Sequence, residues 1–113
     1  MTALRNAALA MMFLLAGATA AFADQNVSVR GVYLTDSDGY NYGVNWYLDS
    51  TVSAQTCVMP YVIEATNVNG SVTPGPVLMQ PNETGVNIGQ YISADQSKPW
   101  SSNVGAKWKS GDC

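Results

Sequence analysis

Residues 40–49 read YNYGVNWYLD, and the fold turns on how this stretch is read. Tyr40, Tyr42, Val44, Trp46 and Leu48 fall on one side of an extended chain, and Asn41, Gly43, Asn45, Tyr47 and Asp49 on the other. A period of two sustained over the whole stretch marks a half-buried β-strand, because successive side chains of a strand point to opposite faces. Just upstream, Asp38-Gly39 suits the positive-φ positions of a tight turn, and the Val-rich run NVSVRGVYL (residues 26–34) precedes it. Two extended runs joined by such a turn predict a hairpin that nucleates a sheet. The inward set, centred on Trp46, belongs to the core. Outward-facing Tyr47, between Asn45 and Asp49, is a candidate ligand contact.

The pattern continues on both sides of this hairpin. In residues 26–34, Val27, Val29 and Tyr33 share one face and Arg30, Val32 and Leu34 the other, while Gly31 implies a bulge or a close backbone approach. Residues 56–68 (TCVMPYVIEATNV) form the longest apolar run, with Cys57, Met59, Tyr61 and Ile63 alternating with Val58, Val62 and Glu64. Pro60 cannot donate to a ladder, so this strand is expected at an edge or bulged there. Asn69-Gly70 reads as a second tight turn, Pro74-Gly75-Pro76 as a break, and residues 77–80 as a short strand. In residues 86–93, Val86, Ile88 and Ile92 oppose Asn87, Gly89, Tyr91 and Ser93, which projects Tyr91 outward as a second candidate contact. A polar connection holding Lys98-Pro99-Trp100 leads to a last strand over residues 103–109. There Val104, Ala106 and Trp108 face inward and Lys107 and Lys109 outward.

No stretch after Ala23 carries a convincing 3.6-residue period, and twelve valines stand against three leucines and three isoleucines there. Branched side chains fit a pleated surface better than a helix. Six or seven short strands punctuated by Gly, Pro and Asn predict an all-β fold, a small antiparallel β-sandwich of immunoglobulin-like architecture rather than a closed barrel. The likeness is architectural: Trp46 precedes both cysteines, whereas in immunoglobulin domains the tryptophan lies between them.

The amino-terminal residues carry a different message. Arg5, an apolar stretch over residues 7–17 and the small residues ending Ala21-Phe22-Ala23 have the tripartite form of a bacterial secretory signal peptide, residues 1–23, cleaved after Ala23. The apolar run is short for a membrane span. The remaining residues, 24–113, are 90 of the 113, enough for one small domain. They carry four basic residues (Arg30, Lys98, Lys107, Lys109) against eight acidic ones, a net charge of −4, which argues against nucleic acid as a partner. Two cysteines, Cys57 and Cys113, in a chain sent to the periplasm or the exterior predict one disulfide bond. It closes a loop of about 57 residues, worth ~4 kcal/mol in the chain-entropy model.

Catalytic chemistry finds little to work with. The sequence contains no His, which removes Ser-His-Asp and Cys-His catalysis and the commonest metal ligand. No glycine-rich phosphate loop occurs. The acidic turn Asp36-Ser37-Asp38-Gly39 lacks the calcium-loop register, so its carboxylates are expected to cap backbone amides. Carboxylates elsewhere sit mainly in turns, and mid-strand Glu64 is expected to point to solvent. The remaining lead is aromatic: Tyr47, Tyr91 and Trp100 offer rigid amphipathic area for a protein or sugar contact, with Trp100 otherwise closing an open end of the sandwich. The expectation is a non-enzymatic exported binding module without cofactor or metal. It contacts another protein of the cell envelope or exterior as an inhibitor, assembly accessory or surface component; a carbohydrate-binding module using exposed Trp and Tyr is the alternative.

Overall fold

Valine-rich runs separated by turn residues become seven strands among residues 25–113, which the computed structural model describes. These are β1 (Val27–Thr35), β2 (Asn41–Ser50), β3 (Thr56–Thr66), β4 (Val68–Val72), β5 (Val77–Met79), β6 (Val86–Ser93) and β7 (Ser101–Ser110). The expected signal peptide and its cleavage after Ala23 lie outside the described residues. The strands pair antiparallel throughout, as a four-stranded sheet in the order β1-β2-β6-β4 and a three-stranded sheet in the order β5-β3-β7. A split of four and three is the immunoglobulin-like sandwich the sequence predicts. The larger sheet follows the A-B-E-D order of that architecture once β5 is set aside as an insertion. The smaller sheet departs from it, because β5 flanks β3 where a final strand would otherwise extend the far side.

Both sheets contribute to one core. Val44, Leu48, Val72, Ile88 and Tyr91 come from the larger sheet, and Val58, Met79 and Val104 from the smaller, with Val27 and the loop residue Val52 completing it. Leu48, Val58 and Met79 are fully buried, and Trp46, Trp100 and Trp108 pack against the cluster from its margins. The alternation in residues 40–49 therefore sets β2 as the central strand, with Val44, Trp46 and Leu48 inward. Its hairpin with β1 pairs Val29 with Leu48 and Tyr33 with Val44. In the turn, the Asp36 carboxylate accepts from the amides of Asp38 (2.9 Å) and Tyr40 (3.0 Å), the backbone role expected of it.

Cys57 and Cys113 form the disulfide, with Cα atoms 5.0 Å apart. It ties β3 to the tail beyond β7, the strand that pairs with it, so the bond lies along one sheet rather than across the core. A disulfide suits an oxidising compartment.

Three local features differ from the sequence pattern, each for a backbone reason. Asn69-Gly70 is not a turn: both residues lie within β4, paired with Ile92 and Tyr91. The chain bends two residues earlier at Asn67, whose left-handed φ of 54° marks the passage from one sheet to the other. Gly70, at φ 134°, brings its backbone so close to the Gln90 carbonyl that a Cβ has no room. In β6 the register slips, with Trp46 opposite Gly89 but Tyr47 opposite Asn87. This bulge changes the face of everything after it, so Ile88 and Tyr91 both enter the core. Pro60 pairs with Ala106 on one side only, because β5 stops opposite Val58. The bulge in β3 falls beyond it, between Val62 and Glu64.

Candidate binding surfaces

The three aromatic residues singled out from the sequence end in three different places. Tyr91 is 6% exposed and belongs to the core, a correction that follows directly from the β6 bulge. Tyr47 does face outward from β2, but Arg30 on the neighbouring strand covers it, with the guanidinium 5.0 Å from the ring centroid. Arg30 in turn donates from Nε and Nη2 to the two Asp49 carboxylate oxygens at 2.7 and 3.2 Å. Asp49 also accepts from the Gly85 amide at 2.8 Å. The Arg30 bonds, then the Gly85 amide, hold its carboxyl below the ordinary carboxylate value. Tyr47 is thus one member of a closed set that ties β1, β2 and the loop before β6 together. Asn45 beside it accepts from Gln90 Nε2 at 2.8 Å.

Trp100 packs where the sandwich opens at the Tyr33 end of β1. Its indole N–H donates to the Asn41 carbonyl at 3.0 Å, and its ring meets Tyr33 edge-on, centroids 6.1 Å apart at 76°. The loop that carries it is built on Asn67. The Asn67 side-chain amide donates to the carbonyls of Asp95, Lys98 and Pro99, and its oxygen accepts from the Asp95 amide. Asp95 itself is held below its usual value by the Ser97 hydroxyl and amide.

A surface that the sequence pattern does not single out lies on the outside of the three-stranded sheet. Antiparallel pairing puts Cys57, Met59 and Tyr61 of β3 on one face with Leu78 of β5 and Lys109, Lys107 and Gly105 of β7. Met59, Tyr61 and Leu78 are each 40–43% exposed, and no other described element covers them. The Tyr61 ring lies across Gly105, where a Cβ would stand 2.7 Å from Cζ, so the glycine lets the ring lie flat along the sheet. Past the end of β5, Val62 (45%) and Ile63 (58%) are exposed as well. Lys107 and Lys109 border this apolar strip. Among the described residues the ion pairs are Arg30–Asp49 and Lys98–Asp95, and neither lysine takes part in one. One signal could have pointed to this face. Residues 57–63 are apolar on both sides of their alternation, and a two-layer sandwich has a core on one side of each sheet only.

Among the described residues no group of three or more Cys, Asp or Glu side chains could hold a metal ion. Glu64 is exposed. No described helix is long and apolar enough to cross a membrane. No protein-family model, curated protein or solved structure matches this chain.

Proposed function

We infer that this protein is an exported, non-enzymatic binding module that docks an extended segment of another protein on the outer face of its three-stranded sheet. One observation carries the reading: the strip formed by Met59, Tyr61 and Leu78 is open to solvent and bordered by Lys107 and Lys109, which have no ion-pair partner among the described residues. Contiguous exposed apolar groups with a polar rim are typical of interaction surfaces. Tyr and Met are favoured at such surfaces because they combine large contact area with adaptable packing. Residues 24–113 carry a net charge of −4, yet half of their basic side chains sit on this one face. The chemistry it selects is therefore a polypeptide segment alternating apolar or aromatic residues with carboxylates. Export is supported by the signal-like amino terminus and by a disulfide that suits an oxidising compartment. The absence of His from the sequence supports a binding role over a catalytic one.

The test uses a synthetic peptide of about ten residues that alternates Val or Tyr with Glu, and a control with Lys in place of Glu. Backbone amide NMR of the folded protein should show shifts at Cys57–Tyr61 and Gly105–Lys109 with the acidic peptide. The lysine peptide should give none, and Met59→Asp or Lys107→Glu should abolish the response. Equal responses to both peptides, or shifts confined to other strands, would overturn the reading.

A further inference from the structure

A second surface differs from the first in shape and chemistry. At the open end of the sandwich, between β1 and the start of β7, lies a cleft of about 460 Å³, within the range of about 300–1,000 Å³ that small-molecule sites occupy. Tyr33, Trp46 and Trp100 line it, together with Asn41, Ser101 and Ser102. Its floor exists because residue 31 is glycine: a Cβ there would stand 2.8 Å from Cζ3 of Trp46, so the six-membered ring of the indole lies over bare backbone.

Both indole donors are already used within the protein. Trp46 Nε1–H donates to Ser102 Oγ at 3.1 Å and Trp100 Nε1–H to the Asn41 carbonyl at 3.0 Å. The rings are thereby fixed in orientation and offer a ligand only their C–H edges and π faces. The polar groups left for a ligand are neutral, namely the serine hydroxyls and the Asn41 amide, whose oxygen is oriented by the Thr35 hydroxyl at 3.0 Å. No Asp, Glu, Lys or Arg lines the cleft. Tyr33 is 62% exposed, more than a ring that merely closes the end of a core requires.

From these features we propose that the cleft binds a neutral pyranose unit of an oligosaccharide. A sugar chair presents an apolar C–H face for aromatic stacking and a rim of hydroxyls for Ser and Asn, with no charge to satisfy. A flat heterocycle is less well suited, because Tyr33 and Trp100 stand at 76° and form a corner rather than a parallel slot. The site is separate from the lysine-bordered sheet face, so either can fail without the other.

The test titrates the folded protein with three neutral hexasaccharides, the β-1,4-linked glucose, β-1,4-linked N-acetylglucosamine and α-1,4-linked glucose oligomers, following the Trp46 and Trp100 indole N–H signals by NMR. At least one hexasaccharide should move both signals. Tyr33→Ala removes an exposed ring and leaves the core intact, and it should weaken that binding about 3- to 10-fold, the size of one aromatic contact. Lys107→Glu should leave the binding unchanged. Silence of both indoles with all three sugars, or undiminished binding by Tyr33→Ala, would overturn the assignment.

Discussion

Asn67 does more for this protein than its place in an Asn-rich stretch suggests. Its left-handed backbone moves the chain between sheets, and its side chain gathers the carbonyls of Asp95, Lys98 and Pro99 beneath Trp100. Asn67→Ala removes those bonds and puts a residue without a compensating side chain at φ 54°, which should cost about 2–3 kcal/mol in denaturant unfolding. Asn67→Gly relieves the backbone alone and should cost about half as much. Asp49 is the residue at which acid acts. Its pKa is depressed in the folded state by Arg30 and the Gly85 amide, so the folded form binds fewer protons than the unfolded one. Its stabilisation is complete above the unfolded value near 4 and is lost as the pH falls through the lower folded value. The thermal midpoint should therefore drop between about pH 5 and pH 2, and drop less in Asp49→Asn. Asp95, depressed by Ser97, accounts for part of the remainder.

At the level of elements, strand existence was legible and strand faces were not always. The hairpin of β1 and β2 follows from the alternation in residues 40–49, and β6 spans the expected residues 86–93. Strict alternation turns Tyr91 outward because it has no means of registering an extra residue. Ile88 and Gly89 occupy the bulge, and one added residue inverts the faces beyond it. Gly89 sits at φ 152°, where an added Cβ would collide with the Ser71 carbonyl oxygen. Gly89→Ala should therefore destabilise by about 2–4 kcal/mol, since neither backbone can yield without breaking the β4–β6 ladder. A denaturation midpoint within error of the wild type would show that the bulge is softer than this.

For the whole molecule, the disulfide fastens the carboxy-terminal tail to β3 beside the proposed docking face. Cys113→Ser should lower stability by up to about 4 kcal/mol, a large share of the 5–15 kcal/mol typical of a small domain. Equilibrium unfolding with and without reductant measures this directly, and the reduced wild type should match the variant.

Pattern and covalent chemistry were readable along the chain. Alternation, valine content and the pair Cys57 and Cys113 set an all-β sandwich with one bridge, because strand periodicity and cysteine count are local properties. Which side of β3 faces solvent, that Arg30 covers Tyr47, and that Tyr33, Trp46 and Trp100 meet across two sheets were decided by tertiary structure. Those facts depend on register and on which elements stack over which. Both are fixed by contacts between residues as far apart in sequence as Trp46 and Ser102.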